Sequence, residues 1–185
     1  MSLLADFEIE RLCLEQDMIN PFVSKTQEKG IISYGLTSYG YDARLGRKFK
    51  IFRKDHNRII DPLQPFEDCF DEIEGDSCII PPNSYVLAHT QEHFKIPSDV
   101  LALCVGKSTY ARWGIIVNVT PLEPEWRGVV TLEISNSCGM PVRIHAGMGI
   151  CQFIFLKNEF IPHVTYKGKQ GKYQDQTGIT LGRIK

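Results

Sequence analysis

Closely spaced turn residues constrain the fold of this 185-residue chain more than any other feature. From residue 22 onward, glycine and proline recur at short intervals, and short β-prone runs lie between them. The turn residues are Gly30, Gly35, Gly40, Gly46, Pro62, Pro65, Gly75, Pro81 and Pro82, and the clearest runs are 49–52, 84–88, 142–144 and 149–155. Short strands separated by Gly and Pro turns are typical of a sandwich, a barrel or a jelly roll. We therefore predict a mainly β fold.

The N-terminal segment has a different pattern. In residues 3–17 the apolar side chains fall near one helical face, and the acidic side chains come early, which suits the positive end of a helix dipole. Pro21 prevents any continuation. We expect a short N-terminal helix within residues 1–21, a solvated acidic loop over 67–76, and one domain over residues 1–185.

Composition excludes several functional classes. The formal net charge of −1 lacks the basic excess that is typical of nucleic-acid binding. No apolar run approaches the roughly 20 residues of a membrane helix, and acidic residues from Asp6 onward argue against a signal peptide. None of the six cysteines forms a Cys-x-x-Cys pair. We expect reduced thiols and a cytoplasmic protein that binds neither membranes nor nucleic acid.

Residues 106–112 form a turn that is dense in cations and hydroxyl groups. Its first four residues match the end of a P-loop, but the glycine required five residues earlier is replaced by Leu101. Backbone amides, the hydroxyls of Ser108 and Thr109, and the guanidinium of Arg112 can still hold a polyphosphate. The alternative is an exposed turn with ordinary surface cations.

Glu133 stands between Leu132 and Ile134 in an apolar, strand-like run. A carboxylate in such a place costs free energy unless it is paired or used. Strand alternation could simply direct it to solvent. Alternatively, Glu133 is a functional, partly desolvated carboxylate whose raised pKa suits proton transfer.

The sequence does not support either of two known metal-binding motifs. Residues 89–93 match His-x-x-Glu-His, but a strand at about 3.3 Å per residue would separate the two imidazoles by roughly 13 Å. The zinc deaminase signature, His-x-Glu with Pro-Cys-x-x-Cys, is absent from the sequence. If this chain deaminates a base, it does so without that zinc.

The C-terminal residues 167–178 are small, basic and polar, with too little apolar content to pack by themselves. They form either a frayed tail or a flap that orders on a ligand. A flap over a site would exclude water and strengthen electrostatic contacts there.

Glu123 and Glu125 flank Pro124 in a turn, so we expect both to be solvated.

Several motifs in one order resemble the dCTP deaminase family, which is related to the trimeric dUTPases. The segments that carry the resemblance are 38–44, 106–112, 117–126, 131–133 and 171–178. The resemblance implies a distorted jelly-roll, dUTPase-like β-barrel that assembles as a homotrimer with shared sites, with a mobile lid over residues 167–185. It also implies hydrolysis of dCTP to dUTP and ammonia, which feeds dUMP and dTTP synthesis. Magnesium would be bound through the triphosphate, and no zinc would take part.

The resemblance also implies roles for individual residues. Glu133 matches the general base and acid, Ser108 would help to hold the attacking water, and Arg112 would support charge developing at the base. Lys107 and Lys172 match phosphate contacts. The remaining substrate contacts implied are Thr109, Tyr110, Ala111, Thr131, Leu132, Gln152, Tyr166 and Gln176.

Departures from the family pattern leave alternatives open. Many relatives have Arg-Ser-Ser-Leu-Ala-Arg where this chain has residues 107–112, and many have Asp where this chain has Glu123. In dUTPases a carboxylate near this position activates water. The rival functions are a bifunctional deaminase and dUTPase, a dUTPase, and a nucleotide-binding regulator without catalysis. We favour deamination alone.

Overall fold

The computed structural model describes residues 2–25, 29–53, 59–61, 63–64 and 67–183. Within these residues the chain is mainly β, with thirteen strands, two α-helices and one short 3₁₀ helix. The helices are α1 (Asp6–Gln16) and α2 (Ser108–Ala111). The strands are β1 (Ser2–Leu3), β2 (Ile19–Asn20), β3 (Gly35–Thr37), β4 (Gly40–Arg44), β5 (Lys48–Phe52), β6 (Phe70–Glu74), β7 (Ser77–Ile80), β8 (Ser84–Lys95), β9 (Val100–Gly106), β10 (Ile115–Asn118), β11 (Arg127–Asn136), β12 (Val142–His145) and β13 (Gly149–Lys157).

Two antiparallel sheets enclose the core. One has the order β10-β11-β8-β5-β6, with β2 also paired to β8, and the other has the order β1-β13-β4-β3, with β9 also paired to β13. Alternate side chains of each strand point inward, as strand geometry requires. Phe94 of β8 and Phe153 of β13 meet in the core with ring centroids 4.5 Å apart. The β7–β12 hairpin forms a small third sheet.

The N-terminal helix is shorter than predicted. Ser2 and Leu3 form a strand with Lys157 and Leu156 of β13, and α1 begins only at Asp6. The Glu8 carboxylate accepts a hydrogen bond from the backbone N–H of Ala5 at 3.0 Å. This one-way contact satisfies a backbone donor at the start of the helix.

The prediction of a solvated loop over residues 67–76 is wrong. A 3₁₀ turn (Glu67–Cys69) leads into β6, which pairs with β5. Phe70 is buried and packs on Phe52, with ring centroids 5.8 Å apart, while the acidic side chains of β6 point outward. Backbone pairing to one neighbour is enough to hold an edge strand whose side chains are charged.

The central position of β11 determines where the site lies. Glu133 is paired with Asn118 of β10 on one side and with Leu87 of β8 on the other.

Two of the predicted turn residues, Pro62 and Pro65, and the last two residues of the predicted lid lie outside the described residues.

Candidate active site

Glu133 is a half-buried carboxylate in the middle of a sheet. In the part of the chain that the structure describes, it has neither a cation nor a side-chain hydrogen-bond partner. Burial raises the pKa of Glu133 to about 7, and a hydrogen bond from its own backbone amide opposes this rise. A carboxyl group with a pKa near neutrality can both accept and donate a proton at physiological pH.

Glu133 faces a cavity of about 1020 Å³. The cavity lies between β11, the loop that joins β10 to β11, and the C-terminal segment. Five of the predicted site residues line it together: Thr131, Glu133, Tyr166, Lys172 and Gln176. The Thr131 hydroxyl donates to Gln176 Oε1 at 3.1 Å and accepts from the backbone N–H of Thr180 at 3.0 Å. The cavity therefore combines a proton-transfer group with hydrogen-bonding groups that could orient a ligand.

The C-terminal segment packs on the rim of this cavity. The Trp126 indole N–H donates to the Tyr173 carbonyl at 3.0 Å, and the Tyr173 N–H donates to the Tyr166 hydroxyl at 3.0 Å. Gly128 lies beside Gln176 at φ 146°, where a Cβ would come within 2.8 Å of the Gln176 backbone nitrogen. A glycine is needed here because the two backbones approach closely. The predicted mobility of this segment stays a prediction.

Glu123 and Glu125 are paired as well as partly solvated, and the pairing was not predicted. Both are half-buried. Lys169 Nζ lies 2.7 and 2.5 Å from the two carboxylate oxygens of Glu123, and the Thr165 hydroxyl donates to Glu125. These pairings form because the C-terminal segment folds back over this loop. The contacts join residues about 40 positions apart, which local turn chemistry does not indicate.

The cation-rich turn lies apart from the cavity of its own chain. Residues 107–112 are not among those that line the cavity. The turn precedes Ile115, and Ile115 pairs with Asn136 of β11. Asn136 lies three residues beyond Glu133, so about 10 Å of strand separates the turn from Glu133. The Arg112 guanidinium donates to the Ser108 carbonyl at 2.9 Å and closes the turn.

The other side chains of the turn differ in exposure. Ser108, Thr109, Ala111 and Arg112 are exposed, whereas Tyr110 is buried against the core. The turn thus presents a polar face to the outside of the chain.

Two further predicted contacts also lie away from the cavity. The Gln152 amide donates to the Thr37 hydroxyl at 3.1 Å on the other sheet. Leu132 is fully buried in the core and does not line the cavity.

The cavity-wall residues that sequence reasoning did not select include Lys169, Tyr173 and Thr180. All three lie in the polar C-terminal segment. Its composition indicated a lid, but it gave no periodicity from which inward-facing positions could be read.

No group of three or more His, Cys, Asp or Glu side chains is placed to hold a metal ion within the described ranges. Residues 89–93 lie in β8, a strand, as predicted. In the described part of the chain, no helix is both long and apolar enough to cross a membrane.

The two antiparallel sheets define a mainly β, jelly-roll-like class of protein. A crystal structure of 2'-deoxycytidine 5'-triphosphate deaminase from Agrobacterium tumefaciens has the same fold, with a TM-score of 0.64 at 21% sequence identity. The match covers 84% of this chain and 47% of that chain, which is about half its length. The predicted fold class is confirmed.

Within that class, the chain belongs to the dCTP deaminase-like family. The family model matches residues 3–158. The relative named dCTP deaminase from Paramagnetospirillum magneticum is 53% identical over 184 residues, which cover 100% of both chains. The relative of that name from Campylobacter jejuni is 54% identical over 100% of this chain and 99% of its own. The resemblance noted in the sequence is confirmed.

Proposed function

We propose that this protein catalyses the hydrolytic deamination of dCTP to dUTP and ammonia. The observation that carries the proposal is Glu133, a half-buried carboxylate with a pKa of about 7 that lines a large cavity and has no cation partner among the residues that the structure describes. Family membership and full-length relatives named dCTP deaminase support the choice of substrate. The product would feed dUMP and dTTP synthesis in the cytoplasm.

Glu133 performs the proton transfers in this proposal. Its carboxylate takes a proton from water as the water oxygen forms a bond to C4 of cytosine. It returns that proton to N3 of the ring, and then moves the second proton of the former water to the amino group, which leaves as ammonia when the C4–N bond breaks. A single group can perform both roles because its pKa lies near the working pH. Zinc is not required, which agrees with the absence of the zinc deaminase signature from the sequence.

A homotrimer with shared sites would complete this cavity. The turn with Ser108 and Arg112 does not line the cavity of its own chain. A neighbouring subunit would therefore supply the hydroxyl that holds the water and the guanidinium that supports charge at the base. The exposed face of the turn supports this arrangement.

The substrate would be the magnesium complex of dCTP. The side chains of Lys107 and Lys172, with the backbone of the turn, suit a triphosphate because ammonium groups form charge-assisted hydrogen bonds with phosphate oxygens. Magnesium, bound through the triphosphate, would neutralise part of its charge. Tyr166, Gln176 and Gln152 would contact the nucleoside.

Incubation with dCTP and magnesium tests the function directly. We expect dUTP and ammonia in equal amounts, no pyrophosphate, and unchanged turnover after treatment with a zinc-selective chelator. Release of pyrophosphate would instead favour a bifunctional deaminase and dUTPase. Absence of turnover in a folded, nucleotide-binding protein would favour a non-catalytic regulator.

Subunit mixing tests the shared site. Glu133→Gln and Arg112→Gln proteins should each be nearly inactive. Mixed trimers formed by refolding the two together should regain activity, because some sites then combine a native Glu133 with a native Arg112 from the adjoining subunit. Mixtures as inactive as the separate variants would contradict the shared site.

A further inference from the structure

Lys107, at the start of the cation-rich turn, is tied to a carboxylate on another strand. Lys107 Nζ lies 2.5 Å from Asp42 Oδ2 and 3.3 Å from Ser33 Oγ. The side chains of Lys107 and Asp42 are only 13% and 9% exposed. Asp42 belongs to β4, where it pairs with Gln152 of β13. The ion pair therefore joins the turn to the sheet that does not carry Glu133.

The low solvent exposure of this pair makes it stronger than an ordinary surface ion pair. Exposed pairs contribute little because water screens them, whereas a pair with little solvent contact keeps more of its attraction. Removal of one partner would leave the other charge largely desolvated without compensation, which is unfavourable. Asp42 is thus the principal partner that fixes the Lys107 ammonium in this chain.

The geometry leaves Lys107 able to bind a second anion. An ammonium group has three N–H donors. Asp42 and Ser33 account for two of them. The third can reach a phosphate oxygen while the contact with Asp42 persists.

The same pair also fixes the backbone of the turn. The Lys107 carbonyl accepts hydrogen bonds from the N–H groups of Tyr110, at 3.1 Å, and Ala111, at 3.0 Å. The side chain of Lys107 is held by Asp42 of β4. Lys107 is therefore fixed at both its backbone and its ammonium group.

We propose that Asp42 is a positioning residue that orients Lys107, and with it the phosphate-binding turn, toward the triphosphate. Asp42 acts through Lys107 and does not contact the substrate. This inference rests on the proposed function, since it assigns the phosphate end of the same site.

The Asp42→Asn variant tests the proposal by removing the charge while keeping the side-chain size. We expect the KM for dCTP to rise about tenfold with kcat within about threefold of wild type, because Lys107 contacts the phosphates and not the reacting ring. The preference for dCTP over dCMP in kcat/KM should fall by a similar factor. A merely structural role would lower the melting temperature and the active fraction, and would leave both KM and this preference unchanged.

Matched variants keep the test decisive. Ser33→Ala removes the longer contact and should change KM less than twofold. In a Lys107→Gln background, Asp42→Asn should add no further change in KM. If Asp42→Asn does not fold, Asp42→Glu, with its carboxylate displaced by one methylene, should raise KM in the same direction by a smaller factor. An unchanged KM in a folded Asp42 variant, or additive effects in the double variant, would overturn the proposal.

Equilibrium binding separates this proposal from the proposed function. If the wild-type protein binds dCTP without deaminating it, the function fails, but Asp42→Asn should still weaken dCTP binding about tenfold. If the wild-type protein deaminates dCTP and the variant binds it equally well, only the role of Asp42 fails.

Discussion

Two glutamates in neighbouring strands of one sheet have opposite surroundings. Glu92 of β8 is fully buried, and its two carboxylate oxygens accept hydrogen bonds from Arg44, at 2.6 Å from Nε and 2.8 Å from the backbone nitrogen. Glu133 of β11 is half-buried and faces a cavity, with no cation or side-chain partner among the residues described.

This difference separates a structural carboxylate from one that is available for chemistry. Burial raises the pKa of Glu92, and the Arg44 guanidinium and amide counteract the rise. Burial also raises the pKa of Glu133, to about 7, but only its own backbone amide opposes it. A desolvated carboxylate next to a fixed cation is held in an ion pair and has a structural role, whereas one without a partner can change protonation near neutral pH.

The largest expected effect is on catalysis. Glu133→Gln should lower kcat for dCTP deamination by about 10²–10⁴-fold, the usual contribution of a general acid–base group, while dCTP binding persists. Ammonia release under saturating dCTP measures it. A folded Glu133→Gln protein that turns over near the wild-type rate would refute the assignment of the proton carrier.

The paired glutamate should matter for stability instead. Glu92→Gln leaves the Arg44 guanidinium, whose side chain is 12% exposed, without a balancing charge. We expect the free energy of unfolding to fall by about 3 kcal/mol, as for other broken buried pairs. Denaturant titration measures the change. Any loss of activity should follow the unfolded fraction, and a stable but inactive variant would break the contrast between the two sites.

The unpaired glutamate should have the opposite effect on stability. The folded-state pKa of Glu133, about 7, lies above its ordinary value of 4.5. Between these values the native state binds more protons than the unfolded state, so this carboxyl destabilises the fold progressively as pH rises from about 4.5 to 7. Glu133→Gln should therefore raise the free energy of unfolding by about 1–3 kcal/mol at pH 8, a range that is reduced because water partly screens this carboxyl group. At pH 4.5 the free energy of unfolding should change by almost nothing. An equal gain at both pH values would show that charge is not the cause.

The smallest expected effect, counted per pH unit, is on the pH profile. The base form of Glu133 is lost below its pKa, so kcat/KM for dCTP should fall about tenfold per pH unit below about pH 7. The Ser33→Ala variant, which should not disturb Glu133, serves as the control and should keep the same acidic limb. A profile that stays flat down to pH 5 would show that the base ionises at its ordinary pKa.

The sequence indicated most strands because their signals are local. The runs 84–88 and 149–155 each lie within an observed strand, β8 and β13. β6 was missed because its acidic side chains resemble a loop, while its position is set by pairing with β5, which is a distant contact.

The site was less predictable because it depends on contacts between distant residues. Alternation along β11 could not decide whether Glu133 faces solvent or a cavity, since the cavity wall comes partly from the C-terminal segment. The contact between Glu123 and Lys169 spans 46 positions, and that between Asp42 and Lys107 spans 65. The roles of the turn came from the family resemblance and not from spacing.

Direct titration of the two carboxyl groups tests the central claim. Protein labelled with ¹³C at the glutamate carboxyl carbon would be followed by NMR across pH 4 to 9, with Glu133→Gln and Glu92→Gln used to assign the two signals. We expect the Glu133 signal to titrate near pH 7 and to disappear in the Glu133→Gln protein. A Glu133 signal that titrates near 4.5, the ordinary value for glutamate, would contradict it.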